Sequence, residues 1–171
     1  MNEGEEMRSS THVLIEADEP HHFDMARILF EEYASQLGID LCFQDFPAEL
    51  KQLSHMYAPP LGSLFLVMRG STAVGCGAIR RLSDGVCEMK RLYVRTDERG
   101  ANLGRQLAQR LVERARTLGY QKMLLDTLSD MTVARTLYQS LGFRETVSYY
   151  DNPLPGVVYM ELDLCISATI S

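Results

Sequence analysis

Residues Glu88 to Gly104 carry the clearest provision for chemistry in the chain. Glu88-Met-Lys-Arg-Leu-Tyr-Val94 reads as an apolar strand, the residues up to Arg99-Gly100 as a short polar turn, and Leu103 onward as the start of a long amphipathic helix. The first N–H groups of a helix have no intrahelical acceptor, and a glycine-bearing turn lets a ligand approach them closely, so the stretch is an anion site suited to phosphate. Neither G-x-x-x-x-G-K-S/T nor G-x-G-x-x-G fits the turn, which argues against a P-loop and a dinucleotide fingerprint. Arg-Gly-x-x-x-Gly alone is a weak signal, and its weight comes from the elements around it.

Those elements can be read in order. Residues 1–11 are polar and aperiodic and read as a flexible tail, 12–164 as a single domain, and 165–171 as a second tail. Val13-Leu-Ile15 is a short strand. A helix starts near Pro20, carries Phe23, Ala26, Leu29, Phe30, Tyr33 and Leu37 on one stripe, and stops at Gly38. Pro47 opens a second helix with Leu50, Leu53, Met56 and Tyr57 on one side. Leu64–Met68, Ala73–Leu82 and Val86–Val94 form an antiparallel meander. In the last of these the alternation slips: Cys87 and Met89 share one face, whereas Leu92 and Val94 fall on the opposite parity. A one-residue bulge reconciles the two halves, the alternative being a strand buried on both faces. Leu103, Leu107, Ala108, Leu111, Val112, Ala115 and Leu118 make a helical stripe ended by Gly119. The strand Gln121–Thr127 follows, reached by a crossover and parallel to the preceding strand. A helix from Met131 to Leu141, capped by Ser129 or Asp130, and a closing hairpin, Phe143–Val147 with Val157–Leu164, complete the chain.

Composition narrows the partners. A net charge of −6 over 171 residues argues against a nucleic-acid surface, and no membrane-length apolar run or signal peptide is present. The four cysteines, Cys42, Cys76, Cys87 and Cys165, show no C-x-x-C pair and no zinc spacing, which fits a reduced, cytoplasmic protein without a metal. His12, His21, His22 and His55 are placed in the tail, at a helix start or on a surface helix, with no partner at ligand spacing.

The chain resembles GNAT-type N-acetyltransferases from about Val13 to Leu164. That family's phosphate loop, Q/R-x-x-G-x-G/A, falls on Arg99-Gly100-Ala101-Asn102-Leu103-Gly104, and its downstream mark, A-x-x-L-Y-x-x-x-G-F, falls on Ala134 to Phe143 with Leu137, Tyr138 and Gly142 in place. The resemblance implies an α/β (α+β) fold: a mixed, mostly antiparallel central sheet of about seven strands, a βαβ acyl-CoA-binding core and helices on both faces. It also implies acetyl-CoA as co-substrate and an amine acceptor. The pyrophosphate would lie on the amides from Gly100 to Arg105, and the pantetheine along the backbone of Leu92, Tyr93 and Val94, in the slot the bulge opens. Two residues depart from the pattern. Asn102 stands at the central glycine and is the non-glycine residue best suited to positive φ. Met131 stands where many relatives have an asparagine, and with Ala134 it offers only apolar contact.

Acetyl transfer needs a proton for the departing thiolate, a route for the amine proton and an oxyanion donor. By its place in the motif Tyr138 supplies the first, and Glu88, just before the bulge, is the base, with a water relay as the alternative. The oxyanion donor is a backbone N–H around Leu92. One of Arg80 and Arg81 faces the cleft or both are surface charges, and the loop Tyr149–Gly156 lies near the acceptor mouth. A homodimer through the sheet edge or the C-terminal hairpin is compatible with this architecture. The contrasting possibility is a non-catalytic acyl-CoA-binding sensor or interaction domain with the same fold, which Asn102 and Met131 favour and Tyr138 opposes.

Overall fold

The computed structural model describes residues 11–165. The expected tails therefore lie almost wholly outside the described residues. Seven strands form one sheet in the order β1-β2-β3-β4-β5-β7-β6: β1 His12–Glu16, β2 Ser63–Arg69, β3 Thr72–Ser83, β4 Val86–Val94, β5 Lys122–Leu128, β6 Arg144–Thr146 and β7 Val157–Asp163. Only the β4–β5 pair is parallel. The chain crosses between those two strands through the helix α4, Leu103–Thr117, the βαβ unit expected from the pattern. His12, expected in the tail, belongs to β1, and its Nε2 lies 2.8 Å from Glu98 Oε2 in the turn that leads to Arg99.

Each sheet face carries its own core. Cys87, Met89 and Val94 of β4 pack with Leu107, Leu111 and Ala115 of α4, and with Tyr138 of the helix α5, Thr132–Ser140. Leu64, Leu66, Cys76, Ala78 and Tyr93 instead pack against Phe23, Ala26, Leu29 and Phe30 of the helix α1, Pro20–Leu37. Glu19 caps α1 in a reciprocal capping box with His22, and Gly38 ends it at φ 62°, where the absence of a Cβ makes a left-handed residue inexpensive.

Two expectations need correction. The helix opened by Pro47 is two short helices, α2 Phe46–Lys51 and α3 Leu53–Met56, broken at Gln52. Tyr57 Oη donates a 2.7 Å bond to Glu49 Oε1, eight residues back. An unbroken helix would hold those positions about 12 Å apart along its axis, so the break is what lets the two buried side chains meet. The other correction is at α5, whose N-cap is Met131 and makes no side-chain capping bond, in place of Ser129 or Asp130.

Candidate active site

The site forms where two neighbouring strands part. β4 and β5 pair only over Val86–Glu88 with Lys122–Leu124, while β5 stays bonded to β7 through Leu128. The cause is the bulge: Cys76 opposes Tyr93 and Ala78 opposes Lys90, leaving Arg91 and Leu92 of β4 against Gly77 alone. Arg91 sits at φ 58°, a left-handed conformation that costs a non-glycine residue about 1–3 kcal/mol and must be held by its surroundings. Its buried guanidinium donates to Glu49 Oε1 at 3.1 Å and Oε2 at 2.7 Å and lies 5.1 Å from the centre of the Phe46 ring. The extra residue also restores the inward phase, so Met89, Leu92 and Val94 all face α4, although β4 is buried along nearly its whole length as well.

A cleft of about 110 Å³ opens in the gap, bounded by Met89–Leu92, Leu125–Leu128, Met131, Ala134 and Tyr138. A larger cavity of about 580 Å³ lies between the start of α1 and α3, lined by Asp18, Phe23, Lys51 and Ser54, and shares no residue with it. Size does not decide between them. The smaller cleft is where the strand divergence, the strained residue and the tyrosine of the downstream motif converge.

The turn Arg99–Gly104 leads from the segment after β4 into α4. Asn102 is the N-cap of α4 at φ 60°, ψ 25°, so it takes the conformation for which glycine is the usual residue. Gly100 lies at φ 98° with open space around it. The first intrahelical bond of α4 runs from Gln106 N to Asn102 O, which leaves the amides of Leu103, Gly104 and Arg105 at the helix start without a backbone acceptor. Arg99 Nε holds Val94 O at 3.1 Å, and Arg105 reaches Ser140 of α5 at 2.8 Å. These bonds fasten the turn to β4 and α5 and leave its amides from Gly100 onward free, whereas the Arg99 N–H donates to Thr96 O. The exposed Ala101 accepts a bond from Gln106 at its carbonyl.

Tyr138 is buried, its ring 5.8 Å from that of Phe143. Burial, with the negative charge of Asp126 adding to it, pushes its phenol well above the ordinary value, so it stays protonated. No hydrogen bond engages its hydroxyl among the described residues. Glu88 is 1% exposed and fully engaged: Arg80 Nε donates to Oε1 at 2.9 Å, Lys90 Nζ lies 3.5 Å from the same oxygen, and Tyr149 Oη donates to Oε2 at 2.6 Å. Arg80 is thus the arginine that turns to a buried carboxylate, whereas Arg81 pairs with the exposed one of Asp84.

The strand parting brings Leu92, Met131, Ala134 and Tyr138 to one cleft, with Lys90 of β4 beside them. Tyr93 and Val94 remain paired to β3 on their other edge, and the Tyr93 hydroxyl turns to Gln36 and Glu32 on α1. Met131 accepts a long 3.7 Å bond from Thr127 through its sulfur, besides its apolar contact. Sequence reading passed over Asp126, Gln44 and Glu49. Asp126 is the one acidic residue within β5, the strand that precedes the downstream motif, a position that could have drawn notice. Gln44 lies in a short turn and Glu49 on the first half of a broken helix, neither of which any periodicity announces. Among the described residues no cluster of His, Cys, Asp and Glu is disposed to hold a metal, and no helix is long and apolar enough to cross a membrane.

Comparison with known proteins gives one consistent answer. The chain is 43% identical over 148 residues to an uncharacterized N-acetyltransferase of Schizosaccharomyces pombe, covering 85% of this chain and 90% of that one. A GNAT-family acetyltransferase of Staphylococcus aureus shares the fold with a TM-score of 0.75 at 18% identity, over 90% of this chain and 99% of the other. The protein yncA of Salmonella typhimurium, solved with its cofactor acetyl-CoA, superposes with a TM-score of 0.64 at 22% identity, over 95% and 99%. The profile described as the acetyltransferase (GNAT) family matches residues 24–143, and the chain belongs to that family and is an acyltransferase.

Proposed function

We propose that the protein transfers the acetyl group of acetyl-CoA to a primary amine by direct attack. The observation that supports this reading is the parting of β4 from β5 after Glu88, which opens a cleft lined by Tyr138 with its unengaged hydroxyl, in a chain whose α4 begins with free helix-start amides. The amides from Gly100 to Arg105 would hold the pyrophosphate, and the unpaired edge of β4 at Leu92 to Val94 would hold the pantetheine, as expected for a family with an acetyl-CoA-bound neighbour. Met131 and Ala134 would supply apolar walls.

The neutral amine attacks the thioester carbon, forming a C–N bond, and a β4 backbone N–H near Leu92 stabilises the oxyanion. As the C–S bond breaks, Tyr138 gives its proton to the sulfur, a role suited to a phenol that burial keeps protonated. The proton leaving nitrogen passes to Glu88 directly or through water. Arg80, Lys90 and the Tyr149 hydroxyl already occupy the Glu88 carboxyl oxygens, which fits a relay through water better than direct contact with the amine. A non-catalytic sensor gains little from Asn102, which adopts the backbone conformation the turn requires.

The test is incubation with acetyl-CoA and a panel of amines, following free thiol by colour. Release that depends on an added amine supports the reading. Acetyl-CoA binding by calorimetry without release across a broad panel refutes it.

A further inference from the structure

The deep side of the cleft has a charge pattern that acetyl transfer to an unspecified amine does not use. Lys90 is 8% exposed and faces the same side as Glu88. Arg80 already holds Glu88 at 2.9 Å, so two cations share one carboxylate. The Lys90 ammonium lies 3.5 Å from Glu88 Oε1 and 3.3 Å from Gln44 Oε1, both long for a group with three donors. Glu49 offers Lys90 little compensation, because Arg91 already engages both of its carboxylate oxygens. Burial, with Arg91 and Arg80 adding to it, lowers the Lys90 pKa against the pull of Glu88 and Glu49, the mark of a cation short of a partner.

Opposite Lys90 stands Asp126 on β5. Its Oδ2 accepts from Tyr150 Oη at 2.6 Å and Asn152 Nδ2 at 3.2 Å, whereas Oδ1 has no partner and no cation pairs with the group among the described residues. Its charge reaches Tyr33, Tyr138 and Tyr149, whose phenols it helps to raise, so it acts across the same space as the proposed proton donor. Gln44 joins the two poles. Its amide oxygen accepts from Lys90, and its amide nitrogen donates to Tyr150 Oη at 3.0 Å. The arc Lys90–Gln44–Tyr150–Asp126 therefore ties the turn Cys42–Gln44 to the loop before β7 and sets a cation and an anion in the lining of one cleft, one on each of the parted strands.

We infer that the acceptor is a small zwitterion, an amine that also bears a carboxylate, with its ammonium drawn to Asp126 and its carboxylate to Lys90. This rests on the acetyl-transfer reading and narrows it. A lysine side chain of a protein would bring the ammonium without the anion, leaving Lys90 unanswered, and would have to enter a cleft spanned by the Gln44–Tyr150 bond. Asp126 then also serves as a local acceptor for the proton the ammonium must lose before attack. In these roles Lys90 is a specificity residue and Asp126 a residue that touches the substrate.

The test compares matched acceptors on the full chain with acetyl-CoA: α- and β-amino acids, their carboxamides, the amines lacking the carboxyl group, and a lysine-containing peptide, with thiol release as readout. The carboxylate-bearing members should exceed their carboxamides in kcat/KM by about tenfold or more, the value of a charge-assisted hydrogen bond. Lys90→Met should collapse that ratio toward one, mainly through KM, and Lys90→Arg should restore part of it. Asp126→Asn should lower kcat/KM for every amine alike. Carboxamides or the peptide reacting as well as the acids would overturn the inference while leaving acetyl transfer intact. An unchanged ratio in a folded Lys90→Met protein would overturn it too. Bound acetyl-CoA with no release from any acceptor would overturn the transfer reading itself. The parent's preference is read without any variant, so a misfolded mutant does not shield the inference.

Discussion

Replacing Glu49 by alanine isolates the interaction that shapes the cleft. Glu49 is 3% exposed and accepts three hydrogen bonds, at 3.1 and 2.7 Å from Arg91 and at 2.7 Å from Tyr57. Removing one partner of a buried pair leaves the other charge without compensation, at a cost of about 3–5 kcal/mol. For a chain of this size that corresponds to a fall in Tm of about 6–20 °C. Differential scanning calorimetry measures it. Replacing all three partners by apolar residues, Glu49→Leu with Tyr57→Phe and Arg91→Met, removes the unpaired charge and should recover most of the loss. The same pair sets a pH dependence. Burial raises the Glu49 pKa, but the Arg91 hydrogen bonds and charge, with Lys90 and Tyr57, outweigh it and hold the group below its ordinary value. A carboxylate with a depressed folded pKa stabilises the fold above its unfolded pKa and loses that contribution as pH falls through the folded value. The parent's Tm should therefore drop below about pH 4.5, and the triple variant should drop less. A Glu49→Ala Tm within 2 °C (roughly the shift of a surface change) of the parent's, or a triple variant no more stable than the single one, would refute the reasoning.

Tyr138→Phe should lower kcat by about 10²–10⁴ while leaving the acetyl-CoA Kd within about threefold, because only the proposed proton donor is removed; an unchanged kcat excludes it from the mechanism. Asn102→Gly should preserve acetyl-CoA binding in a calorimetric titration, since Asn102 already sits at φ 60°, and loss of binding would contradict the cradle reading. Asn102→Ala should cost about 1–2 kcal/mol of stability at the same backbone angles, measured by urea denaturation. Of the four cysteines, Cys42 and Cys165 are exposed and Cys76 and Cys87 buried. Burial raises both buried thiols, that of Cys87 to about 12. A colorimetric thiol reagent should therefore label two groups rapidly in the native protein and four after unfolding; four rapid groups would contradict the buried placement.

The sequence by itself determined what local pattern can encode. The 3.6-residue stripe of α4, the Pro20 start and Gly38 stop of α1, the meander, and the slip in β4 that required a bulge all depend on neighbours in the chain, where periodicity and backbone preference act. Asn102 could be read as a positive-φ residue for the same reason. Tertiary structure alone decided what fills the space beside those elements. That Arg91 is the strained residue follows from a carboxylate forty-two positions earlier, on a helix broken so that Glu49 and Tyr57 can meet. That Glu88 is surrounded by donors depends on Tyr149, sixty-one residues later. The pairing of Lys90 with Gln44, and of Asp126 with Tyr150, joins charged and polar groups from four separate segments. Hydrogen bonds and ion pairs between side chains leave no periodic trace, because their partners need be neighbours only in space. The turn Arg99–Gly104 is therefore legible as a word in the sequence, whereas the Lys90 and Asp126 side of the cleft exists only once β4 has parted from β5.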